Sequence, residues 1–463
     1  VNASRRLFLL LFAALAVARL CHSGVVWAEE GLPLAAAAQM LDGKLLYRDL
    51  WFDKPPLLAF AYLAVGAATG WPLRLAGALY DLLACFLAWR LARELWGERE
   101  ARLAAALLAF FLIFAVPSAV TPVAADLMML APHLAAMWMA AQRRPLLAGA
   151  LAGVAFLINP KGVLVAAACL LWNPGGWLWL GAGFAAVNLA AASAMAATGM
   201  FDPYVDQVWR WGRMYAARTF VAEPWRNALG RSLNWAGFHA ALLIAAVAAL
   251  RQEPRRWAWL GWLALGALAA AAGLRFFPRY FFQLLPAVVL LAARGLTMMT
   301  RRYAVATALL LLIPFVRFGP RYVSLALGRS STWADTAIDR DSRAAAARIG
   351  ALAAPGDTLF VWGFRAELYA YTRLPAAIRY LDSQPLTGVP ADRHLFDSRP
   401  VDADGARVRR RELAQTRPEF VVDGLGPYNP ALAIATFDDL APWLAGYREV
   451  ARTGGSVIYR RVK

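Results

Sequence analysis

Five carboxylates, Glu29, Glu30, Asp42, Asp49 and Asp53, fall within 25 residues, whereas the first 317 positions hold only fourteen acids in all. Glu29 and Glu30 directly follow the first apolar segment. An acid pair at that place costs desolvation unless a cation, a donor group or a reaction requires it. A carboxylate held there could take a proton from a hydroxyl. The same stretch reads equally as a solvated acidic loop. Asp126 stands three or four residues into another apolar segment, after Thr121-Pro122. An acid at that depth is a functional candidate, or else a negative charge favoured by an early helical turn. The cations are also uneven, with four lysines against 44 arginines. Lys54 precedes Pro55-Pro56, Lys161 follows Asn159-Pro160, and Arg275 and Arg279-Tyr280 bracket Phe276-Phe277-Pro278. Such cations suit a phosphate or pyrophosphate. Arg275 and Arg279 could instead snorkel to lipid headgroups.

These residues need a scaffold, and composition limits what it can be. Of 463 residues, 60% are apolar and 17% charged, against about 25% charged in soluble domains. A soluble globule cannot wet that much apolar surface, so a polytopic membrane protein is expected. Residues 1–317 carry 28 basic and 14 acidic side chains, and residues 318–463 carry 20 and 16. The second part is twice as densely charged, which predicts a membrane body, 1–317, followed by a water-exposed domain, 318–463. Eleven apolar segments run from about 7–23 to 303–317. Asn159-Pro160 leaves 146–172 open as one kinked helix or two crossings. Arg5-Arg6 and the arginine clusters at 90–102, 143–144, 251–256 and 294–302 predict cytoplasmic loops and a cytoplasmic N-terminus. Residues 24–71 then lie outside, and 57–70 is too short to cross. Five arginines in 200–232 weaken this scheme, and the topology after 146–172 stays open on charge alone. Residues 32–41 are expected to form a mildly amphipathic helix lying in the interface. The tail reads as a small α/β unit, with a helix at 334–353, strands at 358–362 and 419–423, two short strands around Gly454-Gly455, and loop over 382–405.

Other classes are excluded. The arginines sit mostly in short clusters between apolar segments, so a pI near 10.4 points to anionic membrane lipids rather than nucleic acid. Cys21, Cys85 and Cys169 lie in or beside apolar segments without CxxC spacing, and the four histidines are scattered, so no zinc site is expected. No P-loop, GxSxG, HExxH or dinucleotide fingerprint is present. An enzyme working outside without nucleotide needs a substrate activated in another way, and a lipid-phosphate sugar is one.

The ordered set Glu29-Glu30, AAAAQMLDG, Tyr47-Arg48-Asp49 and Lys54-Pro55-Pro56 resembles the polyprenyl-phosphate-dependent glycosyltransferases of the GT-C fold. The likeness is to the branch of the protein O-mannosyltransferases and the lipid A aminoarabinose transferase. Lys161-Gly162, Arg279-Tyr280, Leu285-Pro286 and Val361-Trp362-Gly363 extend it along most of the chain. One departure is Glu29, where the family usually has Asp. The resemblance implies an all-α polytopic GT-C body of about eleven transmembrane helices with a catalytic first external loop, 24–71, and a small extracytoplasmic C-terminal α/β domain. It resolves the topology with the N-terminus in the cytoplasm and the protein in the cytoplasmic (inner) membrane. It implies an inverting transfer of a hexosyl or pentosyl group from a polyprenyl-phosphate sugar to a hydroxyl acceptor on a protein, glycan or lipid. Glu29 would be the base, supported by Glu30. Asp126 would orient the acceptor or share a divalent cation (Mg or Mn), which the chemistry permits without requiring. Lys54, Arg275 and Arg279 would hold the phosphate, with Tyr280 and Lys161 alongside, and Tyr47, Arg48 and Asp49 would support the first loop. A transporter or flippase of a lipid-linked sugar would use similar charges, but it should show pseudo-repeated halves and helices broken near the midplane. The sequence shows neither.

Overall fold

The computed structural model describes residues 2–217, 223–329, 333–391 and 393–462. They form two compact units, each assembled from three stretches of chain.

The first unit comprises the described residues of Val1–Ser23, Arg74–Met195 and Thr219–Ser331 and is helical. Its Ala- and Leu-rich runs favour helix, and within hydrocarbon a helix satisfies its own backbone. Among the described residues, four helices are long and apolar enough to cross a membrane: Trp71–Leu95, Pro174–Ala197, Arg256–Leu274 and Arg301–Ala326. A fifth arises if Pro224–Phe238 and Ala240–Leu250, bent by 84°, make one span. The remaining apolar helices, such as Ala125–Ala141 and Leu285–Met298, are shorter; length and composition alone therefore support fewer crossings than about eleven. The open question at 146–172 has a clear outcome. Pro145–Phe156 and Gly162–Trp172 are two helices folded back on one another. Gly162 permits the fold-back, because a Cβ there would collide with the backbone of Ala155 and Phe156. Gly295 likewise lets Leu285–Met298 press against the Ala245 carbonyl of the neighbouring helix, the small-residue contact that membrane helices use for close packing.

The second unit comprises the described residues of Gly24–Leu73, Ala196–Arg218 and Thr332–Lys463. Its sheet has strands β1 (Leu359–Trp362), β2 (Phe420–Asp423), β3 (Tyr447–Arg452) and β4 (Val457–Arg461) in the order β1-β2-β4-β3. β1 and β2 run parallel, with Leu359 opposite Phe420, and the other pairs are antiparallel. β1 and β2 are buried at every position, which is why they read as apolar runs, with Asp423 the one exception at the end of β2. Helix Ala334–Gly350 forms as expected. The expected loop 382–405 contains a helical turn, Gln384–Thr387, and ends in the start of helix Ala403–Ala414. Asp402 caps that helix by accepting the Gly405 N–H, so the Asp and Gly residues near 402–405 mark a helix start rather than a loop.

The first-loop helix, Ala28–Leu41, departs from expectation. Every residue from Glu30 to Gln39 is buried, so it is a core helix of its unit and not an amphipathic surface helix. Its run of alanines allows close approach, and it packs on helices Pro56–Ala64 and Glu367–Thr372. Gln39 joins it to the tail, donating to the Leu374 carbonyl and accepting from the Ala376 N–H. Trp51 and Trp211 share a hydrophobic core with Phe360, Trp362, Val421 and Leu440. Helix Pro56–Ala64 has nine residues, or about 13 Å of rise, far short of a roughly 30 Å hydrocarbon core.

Candidate active site

In the second unit, Glu29 and Glu30 occupy the first turn of helix Ala28–Leu41. Successive helical residues point about 100° apart, and the two acids have different surroundings. Glu30 is wholly buried and turns back to accept the Trp27 N–H at 3.1 Å. Glu29 is partly exposed. Tail residues reach this helix start. Asp339 accepts the Val26 N–H at 3.1 Å and also bonds Arg343 and Tyr371. Glu367 approaches Gly31 and accepts from Ser342. Burial raises the Glu367 carboxyl above its usual range, with Arg365 opposing.

The Tyr47-Arg48-Asp49 element is a tight turn. Tyr47 is buried in the left-handed region at φ 64°, an uncommon conformation for a non-glycine residue. Its hydroxyl donates to the Lys54 carbonyl at 2.7 Å, and its own carbonyl accepts from Gln207 at 2.8 Å. The Gln207 side-chain oxygen takes the Phe52 N–H, also at 2.8 Å. Asp49 accepts the Leu45 N–H and a two-point contact from Arg48. Arg48 is exposed, so its pair adds little stability. Lys54 Nζ pairs with Asp53 at 3.1 Å.

In the first unit the structure gathers Asp126, Asn159, Lys161, Arg279 and Tyr280. Asp126 lies in the first turn of Ala125–Met128 and is buried. Its Oδ1 accepts from Lys161 Nζ at 3.1 Å and from Asn159 Nδ2 at 3.2 Å. Arg279 Nε stands 3.9 Å from Oδ2. Lys161 Nζ also sits 3.6 Å from the centre of the Tyr280 ring, a cation–π contact. Asn159-Pro160 makes this possible by ending one helix so that Lys161 opens the next. Arg275 is buried elsewhere in the segment, its carbonyl accepting from Asn227 at 3.3 Å. It lies between Leu274 and Phe276, both at positive φ, and such strain persists only where the surroundings enforce it. Among the described residues, no three of His, Cys, Asp and Glu gather as metal ligands. Asp126 already faces two cationic side chains, and a divalent ion beside them would meet like charge; this set does not fit Mg or Mn.

A second group in the same unit escaped the sequence reading. Arg19 is buried and pairs with Asp81 at 2.6 Å, and it donates to the carbonyls of Val120 and Thr121. Arg74 adds a bond to Thr121 O, and Arg321 holds the carbonyls of Ile113 and Ala115. These arginines satisfy carbonyls at the ends of helices Glu98–Ile113 and Pro117–Val120 and in the turns that follow them, which bare hydrocarbon could not do. Partners 47 to 208 positions apart leave no local signal.

The chain as a whole is similar to two crystal structures of ArnT from Cupriavidus metallidurans. For the one bound to undecaprenyl phosphate, identity is 18%, coverage 98% of each chain and the TM-score 0.61. The GT-C fold is therefore that of this chain. The apo ArnT structure agrees, at 18% identity, 100% and 99% coverage and a TM-score of 0.60. Within this GT-C chain, residues 53–200 match the family model described as dolichyl-phosphate-mannose-protein mannosyltransferase. That stretch contains Lys54, Asp126 and Lys161. No curated protein matches the chain in sequence.

Proposed function

We propose that this membrane protein is a glycosyltransferase that moves a sugar from a polyprenyl-phosphate donor to a hydroxyl acceptor with inversion. The observation that carries the reading is the buried Asp126–Lys161–Arg279 set with Tyr280, inside a largely apolar helical unit of a GT-C chain. Charges at that depth are expensive and mark function by default. The undecaprenyl phosphate bound by ArnT and the mannosyltransferase family model support the donor class.

In the reaction, the acceptor oxygen attacks the anomeric carbon opposite the phosphate. The C–O bond to phosphate breaks and polyprenyl phosphate leaves as an anion. Glu29 takes the acceptor proton; Glu30, committed to capping, holds the helix start that carries Glu29. In the first unit Lys161, Arg275 and Arg279 are the cations that suit a leaving phosphate, Tyr280 orients Lys161, and Asp126 orients the acceptor; in the second unit the family resemblance assigns Lys54 to phosphate. The Tyr47-Arg48-Asp49 turn fixes the backbone at Lys54. The acceptor is a protein, glycan or lipid hydroxyl on the outer face of the cytoplasmic membrane, with the N-terminus inside and the C-terminal residues outside.

The test uses membranes containing the full chain and a mixture of polyprenyl-phosphate sugars, scored for free polyprenyl phosphate. Acceptor-dependent release that is lost in Glu29→Gln supports the reading. Undiminished release in Glu29→Gln, with normal insertion, removes Glu29 as the base. Release in no mixture, or movement of intact donor across the bilayer, overturns the transferase.

A further inference from the structure

Asp382 lies outside every role assigned above. It is only 1% exposed, and its segment is tied on two sides. The Trp51 N–H donates to the Arg379 carbonyl at 2.8 Å, and Ser383 bonds Gly363 in both directions. Asp382 Oδ1 accepts the Gln384 N–H at 2.8 Å. Its Oδ2 is buried and meets no hydrogen-bond partner among the described residues. A carboxylate oxygen buried in this way is costly, whereas a neutral carboxylic acid is tolerated. The charged and titratable groups that act on it are Asp53 and Lys54 from the first loop and Tyr369 from helix Glu367–Thr372. Asp53 and Lys54 are already paired at 3.1 Å and sum to zero charge. A neutral Asp382 leaves that balance intact, and an ionised one makes the set net negative.

We propose that Asp382 is a positioning residue for Lys54: while it keeps its proton, the Asp53–Lys54 pair can open to a polyprenyl phosphodiester, and when it loses the proton the set repels that anion. The inference rests on the reading of Lys54 as a phosphate ligand. Burial, then Asp53, push the Asp382 carboxyl up to about 7, with the Gln384 N–H and Lys54 opposing, so the change falls near neutrality. A sugar phosphodiester keeps one charge across this range, and the donor cannot itself supply the transition.

The probe is dolichyl phosphate mannose, titrated into the full-length protein in detergent from pH 6 to pH 9 and read by thermal stabilisation. In the wild type, apparent Kd should be flat below neutrality and then rise, approaching about tenfold per pH unit. Asp382→Asn, neutral at every pH, should keep the tight Kd throughout. An alkaline rise that persists in Asp382→Asn, or a flat wild-type profile, overturns the proposal. Asp382→Leu, which also lacks charge, separates charge from hydrogen bonding: if it folds it should also be flat, and a rise in that variant counts against the proposal. Lys54→Ala tests the underlying reading separately. Unchanged affinity in that variant, or no binding by the wild type at any pH, overturns the reading of Lys54 as a phosphate ligand and the inference with it.

Discussion

Truncating Asp126 to Ala should strand Lys161 and remove one partner of Arg279. Lys161 Nζ lies 3.1 Å and Arg279 Nε 3.9 Å from its carboxylate, and the Lys161 and Arg279 side chains are only 15% and 24% exposed. At an effective dielectric of about 20, full charges at those separations attract by about 5 and about 4 kcal/mol. Desolvation cancels most of this, and the measurable quantity is the cost of leaving partners unmatched, about 3–5 kcal/mol for a buried pair broken on one side. Asn159 loses its bond at 3.2 Å as well, worth about 1 kcal/mol. Lys161→Met in the same background removes one stranded charge while keeping apolar bulk. The double variant should therefore recover stability relative to the sum of the single changes, with a coupling of about 2 kcal/mol. The assay is a double-mutant cycle of equilibrium unfolding in mixed micelles, with Asp126→Asn as the milder control. Additivity within about 0.5 kcal/mol would refute the claim that Asp126 and Lys161 form an energetically coupled pair.

Glu29→Gln and Glu30→Ala should fail in different ways. The first is expected to lower turnover about 10²- to 10⁴-fold with little change in melting, and the second, which removes the oxygen that accepts the Trp27 N–H, to cost about 1–2 kcal/mol of stability through the lost cap, as calorimetry and donor turnover can distinguish. Gln207→Leu leaves the Phe52 N–H and the Tyr47 carbonyl without their bonds and should destabilise by about 2–4 kcal/mol, seen as a lower unfolding midpoint. Gly295→Ala forces a methyl against the Ala245 carbonyl and should cost about 1–3 kcal/mol by the same measurement. Asp382 makes stability fall as pH rises. Its folded carboxyl titrates at about 7, above its unfolded value, so its penalty grows from roughly pH 4 to pH 7 and is constant above. The protein should melt higher at pH 5 than at pH 8 by a margin that shrinks in Asp382→Asn, and an undiminished margin would assign the dependence to other groups.

The strands at 359–362 and 420–423 and the helix at 334–350 were legible in the sequence because buried apolar runs and helical alternation are local signals. Asp126, Lys161 and Arg279 stood out singly, as charges in apolar surroundings, yet their meeting could not be read. It depends on the fold-back at Gly162 and on helix packing across more than 100 residues. The burial of helix Ala28–Leu41 was misjudged because an Ala-rich helix has the same composition at an interface and in a core; only its partners, Pro56–Ala64 and Glu367–Thr372, decide. Asp382 gave no signal, since an aspartate among Pro, Asp and Gly looks like solvated loop. Its character comes from the Trp51–Arg379 and Ser383–Gly363 bonds that bury it.

The second unit draws its chain from three places separated by long helical stretches, and this constrains biosynthesis. When the ribosome has completed residues 24–73, the strands and helices that will cover them do not yet exist. Helix Ala28–Leu41 has Pro56–Ala64 at hand, but the flank that Glu367–Thr372 covers must wait until more than 300 further residues have been made, a long interval in which a nascent segment can aggregate or be cleaved. Shortening the C-terminal part should then show itself first as loss of protein during membrane insertion, before any question of turnover arises.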